Sequence, residues 1–488
     1  MKDILIKKGV DSSLKKWREK EKKALELLRI VGELRFDKAV ELILFRRDIY
    51  DARPSELINN HLYAINYLER PITIEMSLSL AQEIVKLDLA PARIDIGKLA
   101  LNWELEDGYT PDLGQFVRRE LTGFIGEDKS RIESTDVVLY GFGRIGRLLA
   151  RRLVAQTGRG EQLRLKAIVL RPKFKDLRKE VEKRANLLKT DSVHGQFRGS
   201  VIINEDATEL IINGNRIKMI YAASPDLIDY TEYGIKDAIV LDNTGVWRTG
   251  EELKVHLRPG VEKVMLTAPA KGAPNIVFGV NQKEFDFNEE KIFSAASCTT
   301  NAVVPILKIM DDTFGIKSGH LESIHSYTSS QNLLDNFHKK PRRGRSAAMN
   351  MVLTTTGAAK ASSVVLPSLK GKLTASAVRI PTPNVSLAIM NLELNEATTI
   401  ENVNKVVKKA SMYGDLMEQI MYSSNEDFVS SDVIGSTTPS VFDAPSTLIS
   451  ADGKRVTLYV WYDNEYGYSC QVVRLAKYAA NVIRHTYY

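Results

Sequence analysis

The chain has 488 residues, 44% hydrophobic and 26% charged, the balance of a folded globular protein with two to four domains at roughly 100–200 residues each. This composition excludes a disordered, collagen-like or disulfide-stapled chain, and no run approaches the roughly 18 apolar residues of a membrane span. The formal net charge is +7 and the pI about 9.0, yet residues 1–133 carry 23 basic against 24 acidic side chains, leaving 45 against 37 for the remainder.

The opening MKDILIKKGVDSS has no apolar h-region, which argues against a secretory signal. Ser13 to Lys23 is almost all charge, the pattern of a solvated helix face. From Ala24 to Arg47, Leu27, Leu28, Val31, Leu34, Ala39, Val40, Ile43 and Leu44 recur at three- and four-residue steps, which predicts an amphipathic helix. Pro54-Ser55-Glu56 reads as a helix start over Leu57, Ile58, Leu62, Ile65 and Leu68, closed by Pro71, and Ser77 to Leu87 predicts another helix. Glu104 to Tyr109 and Pro111-Asp112 read as a loop before a short helix around Phe116. No motif here carries chemistry. Residues 1–133 are expected to form an all-α extension, read as a helical extension or a docking module for a partner the sequence does not identify.

At Asp136 the texture changes. Val137-Val138-Leu139-Tyr140 is a short apolar strand, followed by Gly141-Phe142-Gly143-Arg144-Ile145-Gly146 and the helical run Leu148 to Leu153. A GxGxxG is specific only between a strand and a helix, and that is its setting here: it makes a tight turn, admits a pyrophosphate to the backbone and aims a helix N-terminus at it. Further strands at Leu165 to Leu170, Ala238 to Leu241, Lys263 to Thr267 and Asn275 to Val280 predict a doubly wound parallel sheet. The carboxylate that would accept the adenosine ribose hydroxyls is missing. Arg171 stands after the second strand, followed by Pro172 and Lys173, and reads either as a surface arginine or as a fork for the 2′-phosphate of NADP.

Ala296-Ser297-Cys298-Thr299-Thr300-Asn301 precedes a predicted helix whose N-terminal field favours a thiolate. An isolated cysteine is more often a small buried hydrophobe, but flanking hydroxyls beside a dinucleotide motif point to a nucleophile. The only other cysteine, Cys470, makes no framework with it, as suits a reducing cytoplasm. His325, 27 residues after Cys298, reads as a base for that thiol or as a satisfied core histidine. Arg342, Arg343 and Arg345, the hydroxyls of Thr354-Thr355-Thr356-Gly357, and Arg379 offer together two anion sites. The basic surplus therefore fits phosphorylated small molecules. Nothing in the sequence has the form of a nucleic-acid-binding motif, so nucleic acid is not expected as a partner, and no metal site is expected. Ala377 to Ile380 and Val385 to Leu394 suit an antiparallel sheet.

From Asp136 to Tyr488 the chain resembles phosphorylating glyceraldehyde-3-phosphate dehydrogenase. The marks are GFGRIGR, SCTTN, TTTGAAKA over Thr354 to Ala361, and WYDNEYGYS over Trp461 to Ser469. The resemblance implies that Cys298 attacks the aldehyde of glyceraldehyde 3-phosphate and that His325 takes the proton. Hydride leaves for NAD or NADP, and inorganic phosphate cleaves the thioester to 1,3-bisphosphoglycerate, a step of glycolysis or gluconeogenesis. It places the substrate phosphate on Thr328 and Arg379, and the attacking phosphate on Ser297, Thr299, Thr356, Gly357 and Arg343. On the cofactor side it implies Gly141, Gly143, Arg144, Ile145 and Gly146 at the pyrophosphate, Thr244, Gly245 and Thr267 beside it, and Asn464 and Tyr468 at the nicotinamide. It also implies a homotetramer.

Four positions depart from the family pattern: Tyr140 in place of asparagine, Arg171 in place of the NAD-selecting aspartate, Asn336-Phe337 in place of a Leu-Pro pair, and Ser330 in place of an aspartate. The second and third favour NADP or dual specificity. The organisation expected is an α/β protein: the extension 1–133, a Rossmann domain 134–297 completed by the C-terminal helix 466–488, and an α+β catalytic domain 298–465. Two other functions fit less of the sequence: erythrose-4-phosphate dehydrogenase, which the intact TTTGAAKA disfavours, and a non-enzymatic scaffold, which the intact Cys298 and His325 disfavour.

Overall fold

A computed structural model describes residues 12–67, 71–106, 112–126, 133–160 and 162–488, and the backbone of 2–11. Leu68 and positions 107–111 of the expected loop lie outside the described residues. The chain divides into two compact units.

The first unit comprises residues 1–133, 158–161 and 483–488. Its long helix, Lys2–Asp37, ends before the expected Arg47. Ala39 takes a positive φ of 56°, and Val40–Leu44 follows as a strand with every residue buried. Five residues, apolar except for the buried Glu41, have no periodicity that separates helix from strand, and their burial on both faces decides for the sheet. Pro54–Asn60 starts on its proline, with Glu56 accepting from the Arg53 N–H. Ile74–Ile84 is capped by Thr73, a few residues ahead of the expected start at Ser77. Ile96–Leu105 is capped by Asp95, and Leu113–Glu120 carries the buried Phe116. The extension is therefore not all-α: strands 47–48, 40–44, 92–95 and 485–487 lie side by side in that order. The last of these corrects the expected C-terminal helix, which ends at Ala479, with Asn481 at a φ of +53° and the tail extended beyond it.

In the second unit, residues 134–157 and 162–482, Thr135–Tyr140 sits mid-sheet between Leu163–Leu170 and Ala238–Asp242. Val261–Leu266 and Ile292–Ser294 extend one side and Asn215–Tyr221 the other, all in parallel, before an antiparallel pair closes the edge. This is the doubly wound sheet, whose ligand crevice opens at the carboxyl ends of the strands flanking its switch point. The helix Tyr466–Ala479 packs on Arg144–Ala155. The second sheet is mixed rather than purely antiparallel: Ile316–Ser326 runs parallel to Leu373–Ile380 and antiparallel to Ser386–Leu394. The parallel register sets His325 directly opposite Arg379.

Candidate active site

Cys298 opens the helix Cys298–Phe314, and Ser297 caps it by accepting from the Thr300 N–H at 3.1 Å. Ala296, at a φ of 54°, turns the chain into the helix. Its N–H donates to the Ser294 hydroxyl at 2.9 Å, and its carbonyl accepts from the Tyr468 hydroxyl at 2.9 Å. A bend in the left-handed region is thus held from both sides, and it delivers the thiol to His325 with Sγ 3.6 Å from Nε2. The other ring nitrogen, Nδ1, lies 2.8 Å from the Ser326 carbonyl and 2.9 Å from Arg379 Nη1. With Nδ1–H donated to that carbonyl, Nε2 keeps its lone pair towards the sulfur, the tautomer a base requires.

Burial, reinforced by Arg379 and then Arg343, depresses the His325 pKa to about 3, so the ring stays neutral. Burial pushes the Cys298 thiol up, while Arg379, the Thr299 hydroxyl and backbone N–H groups pull it back. The field of the helix N-terminus therefore acts as expected but is outweighed by desolvation.

Of the residues expected to bind anions, Arg379 touches this pair directly. Arg379 donates to the Ser326 carbonyl at 2.7 Å, and its pKa is lowered by burial. Arg343 reaches the Thr354 hydroxyl through Nε and Nη2 (3.2 and 3.1 Å) and Ser330 through Nη1 (3.2 Å). Ser330 in turn pairs with the Thr328 hydroxyl at 2.9 Å, so the serine that departs from the family pattern ties both anion sites together. Thr356 accepts from the Ala358 N–H at 3.2 Å, and Gly357 opens the helix Ala358–Val365. Thr299 differs from the rest. It is buried, its hydroxyl is 2.9 Å from that of Tyr462, and Tyr462 also contacts Ser323.

The dinucleotide cradle is built from backbone. Gly141 has a φ of +97°, and a Cβ on Gly146 would strike the Gly141 carbonyl oxygen. A Cβ on Gly143 would meet nothing within 4 Å, which is the open approach a pyrophosphate needs. The first N–H groups of the helix Arg144–Ala155, at Arg144 and Ile145, have no intrahelical acceptor and face that space. The Arg144 side chain does not. Its guanidinium is held by Glu465 and Asp191.

Gly245 (φ +65°) follows Thr244, whose N–H and hydroxyl both donate to Asp242 Oδ1 at 2.7 Å; the Thr267 hydroxyl donates to the Asp242 carbonyl at 3.0 Å. Asn464 Oδ1 accepts from Ser326 and Ser386, each at 2.9 Å, which fixes the orientation of its amide. Arg171 is exposed and anchored through Nε alone to the Ala223 carbonyl at 2.9 Å. Tyr140 is buried against Trp247 and His256, and burial lifts its pKa to about 12.

Sequence reasoning missed Asp242, Glu465, Asp191 and His194. Asp242 immediately precedes Asn243-Thr244-Gly245 and Glu465 immediately follows Asn464, so adjacency was the available signal. Asp191 and His194 had none before the fold brought them to Arg144 and Glu465. Among the described residues no cluster of His, Cys, Asp and Glu could hold a metal, and no helix is long and apolar enough to cross a membrane.

Two family models match the second unit: glyceraldehyde 3-phosphate dehydrogenase, NAD binding domain, over residues 135–250, and the C-terminal domain of the same enzyme over residues 297–464. The chain is 46% identical over 461 residues to a glyceraldehyde-3-phosphate dehydrogenase-like protein of Pseudomonas aeruginosa, covering 93% of this chain and 98% of that one. It is 39% identical to glyceraldehyde-3-phosphate dehydrogenase 2 of Bacillus subtilis and 42% identical to glyceraldehyde-3-phosphate dehydrogenase of Geobacillus stearothermophilus, covering 72% and 71% of this chain and 98% of each relative. The Cys298–His325 pair and the glycine turn thus lie in a sequence that matches over both domains, and the chain belongs to the glyceraldehyde 3-phosphate dehydrogenase family, an oxidoreductase that uses a nicotinamide dinucleotide.

Proposed function

We propose that the protein oxidises glyceraldehyde 3-phosphate to 1,3-bisphosphoglycerate with phosphate as co-substrate. The observation that carries this reading is the Cys298–His325 contact at 3.6 Å with Arg379 on the far side of the imidazole. Sγ attacks the aldehyde carbon as its proton passes by way of His325 Nε2 to the aldehyde oxygen, giving a hemithioacetal and leaving the imidazole neutral. The imidazole serves again as base for the hemithioacetal hydroxyl when hydride departs, and the carbonyl of a thioester forms. The bound dinucleotide supplies the hydride acceptor. Phosphate then displaces Sγ, guided by Arg343, Thr356 and the N–H groups that open the helix at Ala358.

An anion on Arg379 draws its charge away from His325 and lets the ring accept a proton more readily, so substrate binding itself arms the base. The dinucleotide of choice is NADP. Arg171 holds one guanidinium edge on Ala223 and leaves the other for a 2′-phosphate. Leu333, Leu334, Phe337, Met349 and Met351 are each at least 73% exposed, an apolar surface that a homotetramer would cover. Cytoplasmic residence accords with Cys298 and Cys470 forming no disulfide.

The deciding experiment follows NAD(P)H formation with glyceraldehyde 3-phosphate, with and without inorganic phosphate, for wild type and Cys298→Ser. Phosphate-dependent turnover that the substitution abolishes is expected. Turnover only with erythrose 4-phosphate moves the substrate to that sister reaction, and no turnover with either leaves a scaffold.

A further inference from the structure

The extension sheet is finished by a strand from the other end of the sequence. His485–Tyr487 pairs in parallel with Ala92–Asp95, placing His485 opposite Ala92 and Tyr487 opposite Ile94. A ladder of three residues is marginal by itself, and side chains do most of the holding. Arg484, buried, donates to the Ala39 carbonyl at 3.0 Å and lies 3.5 Å from the buried Glu41 carboxylate. The Tyr487 hydroxyl accepts from Asn102 at 2.8 Å and donates to Glu120 at 2.5 Å. Arg93 donates to the Tyr488 hydroxyl at 2.8 Å, and Lys98, partly desolvated with its pKa lowered to about 8, donates to the Tyr488 main-chain oxygen at 2.9 Å. Phe124 stacks edge-on to His485 and Tyr487. Main-chain pairing gives affinity and the pockets give selectivity, which is how β-augmentation sites read a peptide.

The slot and its strand lie 385 to 395 positions apart where Asn102 meets Tyr487 and Arg93 meets Tyr488. Residues 39–124 leave the ribosome long before residues 483–488 exist, so the slot forms with an open edge and fills afterwards. The resident strand reaches the slot through chain that folds as the second unit, so it acts at a finite effective concentration and a free strand of the same sequence competes with it. We infer that the edge of Ala92–Asp95, with Ala39, Glu41, Lys98, Asn102, Glu120 and Phe124 around it, forms a peptide-strand receptor, selective for an extended segment with arginine followed three and four positions later by tyrosines, and that 483–488 is its resident and displaceable ligand. The inference stands apart from the dehydrogenase reaction and is tested without it.

The probe is a fluorescent Ile-Arg-His-Thr-Tyr-Tyr peptide, blocked at both ends, titrated into the chain lacking 483–488. Saturable binding is expected, at least tenfold weaker for the peptide with both Arg484 and Tyr487 positions changed to alanine. Hydrogen exchange at 92–105 should rise in the shortened chain and fall again when peptide is added. A shortened chain that remains folded but fails to bind, or that binds the altered peptide equally, overturns the inference. Should that chain not fold, the full-length Arg484→Ala/Tyr487→Ala variant decides: it should take up the wild-type peptide, and refusal overturns the inference.

Discussion

Arg144 and Glu465 form a two-pronged ion pair. Nε and Nη2 of the arginine face the two carboxylate oxygens, the Nη2 contact measuring 2.5 Å, and His194 Nε2 meets the same carboxylate at 3.0 Å. Burial opposes the charge on Glu465, yet His194 and Arg144 hold its pKa below the usual carboxylate value. Arg144 begins the helix that follows the glycine turn, and Glu465 follows Asn464, so the pair ties the glycine turn to the segment that carries Asn464. Glu465→Gln keeps the shape and removes the charge. A charge-assisted hydrogen bond contributes about 1.5–3 kcal/mol, and the expected outcome is a KM for the dinucleotide raised about tenfold or more with kcat within about threefold. Steady-state kinetics with varied dinucleotide measures both; an unchanged KM would show that the pair does not shape the cofactor site.

Arg171→Asp places a carboxylate where the ribose hydroxyls of NAD would find an acceptor and a 2′-phosphate would find repulsion. The ratio of kcat/KM for NADP over NAD should fall by at least about tenfold, equivalent to about 1.4 kcal/mol. Because the Arg171 side chain is exposed and makes its hydrogen bond from Nε to Ala223, stability should hardly change. A thermal melt run beside the kinetics separates loss of selectivity from loss of fold.

The Cys298 segment at a helix start and the glycine turn between strand and helix were legible in the sequence because each is a short contiguous pattern. The partners that hold them were not. His325 meets Arg379 through sheet register, and Arg144 meets Asp191 and Glu465 through folding over 47 and 321 positions, distances at which spacing carries no information. Val40–Leu44 was misread as helix because a fully buried strand has no polar face to mark a period of two. The strand at His485–Tyr487 was invisible for a related reason: its stability comes from Asn102, Glu120, Arg93 and Lys98 rather than from its own propensity.

The pH response follows from the same charges. His325 is neutral in the fold down to about pH 3, whereas the unfolded ring takes a proton near 6.5. Below about 6.5 the unfolded state therefore binds more protons, and stability falls as pH falls; above it the contribution is complete. Between pH 6.5 and 5 the loss is about 2 kcal/mol at one pKa unit per 1.36 kcal/mol. Urea unfolding at the two pH values should show it in wild type and not in His325→Asn. At the other end, the raised thiol places the midpoint of Cys298 alkylation by iodoacetamide above the ordinary thiol value. Arg379→Ala, by removing the cation that opposes burial, should move that midpoint further up. A downward movement would mean that Arg379 does not act on the sulfur.

Gly143 and Gly146 sit three residues apart in one turn, and alanine should affect them in opposite ways. At Gly146 a methyl group meets the Gly141 carbonyl oxygen, a main-chain atom that cannot swing aside. Gly146→Ala therefore forces the strand–helix turn open, with an expected loss of about 1–3 kcal/mol as in other overpacked sites, read as a lower urea midpoint. At Gly143 the backbone has a φ of −78°, which alanine adopts freely, and the methyl group points into empty space. Gly143→Ala should melt like wild type, within about 0.5 kcal/mol, but the methyl group occupies the approach of the pyrophosphate, so dinucleotide affinity should drop at least about tenfold. Measuring unfolding and dinucleotide affinity for both variants separates a glycine needed by the fold from one needed by the ligand. Equal losses of stability in the two variants would remove the basis for placing the pyrophosphate at Gly143.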